Sequence, residues 1–185
     1  MEKLKKPAKL ALGPVPPALI ACGNQEENNI ITLAWVGVVN SSPPMISAAI
    51  RPGRYSHDIV KNSGEFTVNL PKKEQADIAD GCGTVSGRDV DKFAQFNLTA
   101  EIGTLQHAPM IKECPISIEC RVERTLSLAS HTLFIGEVVA TYLAEDIIDQ
   151  KGIIDLNRVS LLGFCSGNYL QTEPMGLKIG YTYKK

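Results

Sequence analysis

The sequence predicts a mainly β fold: a small, largely antiparallel barrel with a few short helices. Three observations lead to it. Apolar and polar residues alternate at period two from Ile116 to Glu123, which sends one set to each face of a strand. β-Branched and aromatic residues crowd further runs of strand length, the longest from Thr132 to Leu143. Helical signals are short and do not alternate regularly with the strands, which disfavours a βαβ sheet and favours closure into a barrel.

In chain order, strands are expected at Ala18 to Gly23 and at Ile30 to Val39, where Thr32, Trp35 and three valines favour strand over helix. Met45 to Ile50 follows the Ser41-Ser42-Pro43-Pro44 turn, and Glu65 to Leu70 alternates Phe66, Val68 and Leu70 with Thr67 and Asn69. Val159 to Cys165 and Ile179 to Tyr183 complete about eight strands with the two runs above. Ser56 is expected to cap a helix from His57 to about Asn62, with Gly64 just past its end. Glu74 to Asp80 reads as a helix stopped by Gly81, and Asp89 as the cap of a helix from Val90 to Phe96.

The 185 residues are 44% hydrophobic, enough for one core, so residues 1–185 are expected to form a single domain. A formal net charge of -1 leaves no excess of cations for tracking a nucleic-acid backbone. The five cysteines, Cys22, Cys82, Cys114, Cys120 and Cys165, are scattered without a CxxC pair, which argues against a disulfide framework or zinc ribbon and suits a reducing cytoplasm. No stretch approaches the ~18 apolar residues of a membrane span, and prolines interrupt the basic N-terminus before a signal sequence can develop.

Several chemistries lack their motifs. Gly81-Cys82-Gly83-Thr84-Val85-Ser86-Gly87 has Ser86 where a dinucleotide fingerprint needs glycine, and no Gly-Lys-Ser/Thr follows; a turn between helix and loop is the plain reading. His57, His107 and His131 are dispersed without metal-ligand spacing, and no serine occupies a GxSxG elbow. Arg51-Pro52-Gly53-Arg54-Tyr55-Ser56-His57 is more informative. Two guanidinium groups and a hydroxyl arrive where a helix begins, a combination that suits a phosphomonoester, although a solvated turn explains the same residues. Trp35, the single tryptophan, suits core packing or ring stacking.

In order and spacing these segments resemble the flavin reductase-like family of FMN-binding split barrels, and within it the flavoredoxin-type group. The resemblance is carried by Asn29-Ile30-Ile31-Thr32-Leu33-Ala34-Trp35, Ser42-Pro43-Pro44-Met45-Ile46-Ser47, Arg51 through His57, and Gly64-Glu65-Phe66-Thr67-Val68-Asn69-Leu70. It continues through Ser86-Gly87-Arg88-Asp89-Val90-Asp91-Lys92-Phe93 and Ser130-His131-Thr132-Leu133-Phe134-Ile135-Gly136-Glu137-Val138, spanning roughly residues 12–170. It implies a six-stranded antiparallel Greek-key split barrel acting as a homodimer with FMN at or near the interface. It implies that Asn29, Thr32 and Trp35 lie beside the flavin and that Arg51, Arg54, Ser56 and His57 surround its phosphate. Ser86 and Lys92 belong to a second loop that closes over the cofactor, and His131 stands near the face where hydride is exchanged; a hydrogen-bonded strand-end histidine is its other reading.

Three functions follow. The first is an NAD(P)H-dependent flavin reductase, in which the bound FMN carries the reactivity. The second is a flavoredoxin-type electron carrier reduced by a redox protein. The third is a ligand-binding barrel without enzymatic activity. A cysteine nucleophile at Cys114 or Cys165 is disfavoured against buried structural thiols.

Overall fold

A computed structural model describes residues 1–183. The chain is mainly β. The main sheet uses β1 (Ala18–Gly23), β2 (Asn28–Leu33), β3 (Val36–Ser41), β4 (Pro44–Ile50), β5 (Glu65–Leu70), β8 (Ile116–Ser127) and β9 (Thr132–Leu143), antiparallel throughout in the order β2-β1-β5-β8-β9-β4-β3. Two small hairpins stand apart: β6 (Ala100–Glu101) with β7 (Met110–Ile111), and β10 (Leu162–Cys165) with β11 (Asn168–Gln171).

The sheet must be curled. Its outermost strands, β2 and β3, are joined by Ala34 and Trp35 alone, a link that reaches at most about 11 Å between Leu33 and Val36. Six strand spacings in a flat sheet would separate these edges by roughly 29 Å. The edges therefore meet, and a hydrogen bond from Ala49 N to Trp35 O at 3.0 Å marks the seam. No ladder joins β2 to β3, which makes the barrel split.

Its interior is filled by Ile20, Ile31, Ile46, Ala48, Ile50, Phe66, Val68, Cys120 and Phe134, drawn from β1, β2, β4, β5, β8 and β9. The family resemblance implies a barrel of six strands, whereas the main sheet has seven. The seventh, β3, is an addition at the edge, and it arises because the run from Ile30 to Val39 is two strands broken at the seam. β1 is buried along its whole length because both of its faces are covered: Ala18, Ile20 and Cys22 enter the barrel, while Leu19 and Ala21 pack under the helices. Bulges in the β8–β9 ladder, after Glu119 and after Val122, give these twelve-residue strands the bend that curvature needs.

The helices differ from expectation in their ends. Helix α1 spans Tyr55–Ser63, so Ser56 lies inside it; Arg54 holds the N-cap position without a side-chain cap, and Gly64 closes the end at φ 68°. Helix α2, Ala76–Thr84, follows a 3-10 turn over Lys73–Gln75 and runs on through Gly81 and Gly83 instead of stopping. Packing explains this: a Cβ at Gly81 would lie 2.3 Å from Phe96 Cζ, and one at Gly83 would lie 3.3 Å from Thr32 Cβ. The glycines therefore serve close approach within a helix, not a turn. Helix α3 is short, Lys92–Gln95, and its cap is Asp91, which accepts from Ala94 N, rather than Asp89. The expected strand at Ile179–Tyr183 is instead an exposed segment ending in a 3-10 turn.

The polar alternates of β5, and Ser117 and Glu119 in the first half of β8, do not meet solvent. Glu65 accepts from the amides of Gln106 and His107, Glu119 from those of Thr104 and Leu105, and Asn69 Oδ1 from Ile111 N and Ser117 Oγ. These bonds fasten the 102–115 segment to the outer wall. Among the described residues, every buried side-chain nitrogen or oxygen has a partner, and no helix is long and apolar enough to cross a membrane.

Glu119→Gln tests this clamp. It turns one carboxylate acceptor into a donor facing an amide that also donates, so urea denaturation is expected to show a loss of ~1–3 kcal/mol.

Candidate functional site

Beside the seam the barrel opens into two adjoining cavities that share Ile31 and Arg54. The first, about 210 Å³, lies between the start of α1 and the loop after α2, where Asn29, Ser56, Ser86, Arg88 and Lys92 face it. The second, about 180 Å³, is walled by Thr32, Trp35, Ala49, Arg51 and His131. Each alone is small for a cofactor; joined, they reach the lower end of the roughly 300–1,000 Å³ of ligand pockets.

The two loops of the first cavity are fitted to each other. A Cβ on Gly87 would lie 2.2 Å from Asn29 Oδ1 and 2.7 Å from Tyr55 Cδ1, so only glycine lets this loop settle there. Arg88 fastens it from the other side, donating to Gly53 O at 3.3 Å with its guanidinium 5.2 Å from the Tyr55 ring centre. The Tyr55 hydroxyl in turn donates to Glu27, and Asn29 Nδ2 donates to Ser56 Oγ at 2.7 Å. The first amides of α1 have no partner within the helix and carry the positive end of its dipole.

Electrostatics sets this place apart. Arg51, Arg54, Arg88 and Lys92 line the two cavities and no carboxylate does. Lys92 is only 3% exposed; its ammonium donates to Ile30 O and Cys82 O, both at 2.7 Å, which leaves one of three donors. Among the described residues no anion pairs with it. Burial pushes the thiol of Cys22 up to about 12 and that of Cys82 up to about 11, so both stay protonated at neutral pH, and burial also holds the Lys92 ammonium below its usual range. A larger cavity of about 840 Å³ lies elsewhere. Its lining sets Lys72, Lys73, Lys112 and Arg158 against Glu74, Glu113, Asp146 and Glu173, so its charges compensate one another.

His131 stands at the second cavity, 8% exposed, its ring 4.4 Å from that of Trp35 and tilted by 38°, with Nδ1 2.8 Å from Ser130 Oγ. Burial, followed by the nearby Arg51, lowers its pKa and so favours the neutral ring. Trp35 is 47% exposed and forms a wall rather than core. Thr32 Oγ1 donates to Ala79 O at 2.6 Å, tying β2 to α2.

Of the residues singled out in the sequence, Asn29, Thr32, Trp35, Arg51, Arg54, Ser56, Ser86, Lys92 and His131 line these cavities. His57 does not. Its Nδ1 meets Asp58 at 2.8 Å and its Nε2 meets Thr132 Oγ1 at 2.9 Å, while its ring packs edge-on against Phe134, so its side chain points across the barrel wall. Two residues escaped the sequence reading. Arg88 stands in a matched segment without an assigned role; its signal was the glycine before it. Tyr55 offered none, because its neighbours come from distant strands.

The family model described as flavin reductase like domain matches residues 11–172. The chain belongs to this family. Over the whole fold it is similar to the flavoredoxin of Desulfovibrio vulgaris (Miyazaki F), with a TM-score of 0.92, 29% identity and coverage of 99% of this chain and 100% of that one. A flavoredoxin from Methanosarcina acetivorans gives a TM-score of 0.92 at 30% identity, covering 98% and 97%. In sequence, an NADH-dependent FMN reductase of Streptomyces nodosus subsp. asukaensis is 25% identical over 136 residues, 74% of this chain and 72% of the relative. Family and neighbours support a flavin-related oxidoreductase.

Because Arg51 opposes a charge on His131, Arg51→Met is expected to move the His131 titration midpoint upward. Proton NMR of the imidazole from pH 4 to 8 checks it. By the same linkage, the stability contributed by neutral His131 is present above its unfolded pKa of ~6.5 and lost as pH falls through the lower folded value.

Proposed function

We propose that this flavin reductase-like protein binds FMN across the joined cavities and acts as an oxidoreductase with NAD(P)H as reductant. One observation carries the reading: four cationic side chains, one of them buried without an anion, converge on a space that no carboxylate enters. Such a space favours a ligand with a doubly charged phosphate, and the two cavities divide it into a phosphate end and a ring end. The amides opening α1, Arg54, Arg88 and the hydroxyls of Ser56 and Ser86 would hold the phosphate. Ile31, Trp35 and Thr32 would border the ring, and Lys92 would offer its remaining donor.

FMN held by these residues would supply the redox chemistry, hydride exchange with a nicotinamide and electron transfer to a second acceptor. The protein's share is positioning and electrostatics. Arg51 and Lys92 hold a positive potential that favours negative charge on the ligand. Neutral His131, oriented by Ser130 and Trp35, can accept or return a proton at the mouth of the ring cavity. His131 is the proposed catalytic residue. A homodimer is also proposed: Val38 is 80% exposed on the edge strand β3, and Val39, Leu126 and Leu128 are further exposed apolar side chains of the same sheet and its β8–β9 turn. The likeness to two flavoredoxins supports a second reading, an electron carrier reduced by a protein partner.

Titrating apoprotein with FMN and riboflavin is expected to show a strong preference for FMN. Arg54→Ala should weaken FMN by about 10- to 100-fold, the worth of one charge-assisted bond, and barely change riboflavin. Anaerobic bleaching of the flavin by NADH or NADPH supports the reductase; bleaching only by a ferredoxin-type donor supports the carrier. Light scattering should find dimers that Val38→Glu converts to monomers.

A further inference from the structure

A third cavity, of about 320 Å³, adjoins the site. It shares Thr32 and Ala34 with the ring cavity and Gly83 with the phosphate cavity, and its remaining wall is Pro17, Asp80, Thr84, Phe164, Gly167 and Tyr169. The β10–β11 hairpin shapes it. Ser166 and Gly167, at φ 50° and 85°, form a two-residue turn of the primed kind, which sets Phe164 opposite Tyr169. Their rings meet edge-on, with centres 5.5 Å apart and planes at 65°. Phe164 exchanges two backbone hydrogen bonds with Val15, of 2.8 and 2.9 Å, so the aromatic wall is anchored from both sides.

The polarity of this cavity is opposite to that of its neighbours. Asp80 is the charged residue of its lining, with no cation beside it, and its one side-chain partner is the Tyr169 hydroxyl at 3.4 Å, a long bond. Burial and the facing carboxylate hold the Tyr169 phenol above its usual range, so it stays a donor, and one long bond leaves the Asp80 carboxylate acceptor capacity to spare. An anionic ring is repelled here, and a ring that can only accept hydrogen bonds gains nothing from Asp80. A neutral or cationic ring carrying N–H donors gains both a stacking face and an acceptor.

We propose that this cavity is a second-substrate subsite, taking a planar ring of the nicotinamide kind against Phe164 and Tyr169 with Asp80 accepting from its carboxamide. Its role in the reaction rests on the oxidoreductase reading above; the binding itself does not. A carboxylate here also favours a ring that becomes a pyridinium once it has given up hydride. Asp80 and Tyr169 are then specificity-determining residues, and the adjoining cationic cavities remain for the flavin.

Calorimetric titration of the protein, with and without FMN, by 1-methylnicotinamide, nicotinamide and nicotinate tests it. The first two are expected to bind at least about tenfold more tightly than nicotinate, a difference of ~1.4 kcal/mol. Asp80→Asn should remove most of that selectivity, Tyr169→Ala should weaken all three rings, and Tyr169→Phe, which keeps the ring face, should retain them. FMN affinity should stay within about twofold in each variant. Equal binding of nicotinate, unchanged selectivity in Asp80→Asn, or loss of FMN binding in that variant overturns the proposal. Ring binding without FMN binding would sink the cofactor reading and leave this one standing; FMN binding without ring binding would sink this one alone.

Discussion

Two residues of chain, Ala34 and Trp35, connect strands at opposite ends of a seven-stranded order, and the rest of the structure answers to that constraint. Because the link is too short to cross a flat sheet, the edges must meet, and the sheet closes around Phe66 and Phe134. Closure brings the end of β2 beside the end of β4. Thr32 and Trp35 from one side then face Arg51 and Arg54 from the other, with His131 arriving at the head of β9. The site is therefore a by-product of the seam: a split barrel leaves one junction without a ladder, and that junction is where a ligand can reach backbone and side chains together.

Gathering cations at the seam costs stability. A lysine buried to 3% exposure with neutral thiols for company is poorly solvated, and two carbonyl acceptors offset only part of the loss. The arrangement makes physical sense if an anion completes it. By contrast, the carboxylates buried elsewhere, Glu65 and Glu119, each accept from two backbone amides and so serve the fold. In the adjoining third cavity the sign reverses at Asp80, so neighbouring cavities of opposite polarity offer places for two reactants of different charge.

Some of this was legible in the residues. The alternation of β8 and the β-branched run of β9 gave strands because side-chain period follows directly from backbone geometry. Gly64 marked the end of α1 because a left-handed φ needs glycine. Other features were not legible. The break at Ala34 leaves no local trace, since both halves of the run have the same strand propensity. Gly81 and Gly83 read as a stop because the reason a helix tolerates them, the closeness of Phe96 and Thr32, lies in distant parts of the chain. The polar face of β5 reads as solvated, yet a later segment folds over it.

By itself the sequence determined the class of fold, the strands that build the barrel, and a set of residue types suited to a phosphorylated ring, because periodicity and side-chain chemistry are properties of neighbours along the chain. Only the tertiary structure decided which of those residues share a space. It turned His57 into the wall, brought Arg88 and Tyr55 to the site, and set Asp80 in a cavity that adjoins the one the arginines line. Those outcomes depend on where the seam closes and which backbones can touch, and residues that meet there are tens of positions apart in the chain.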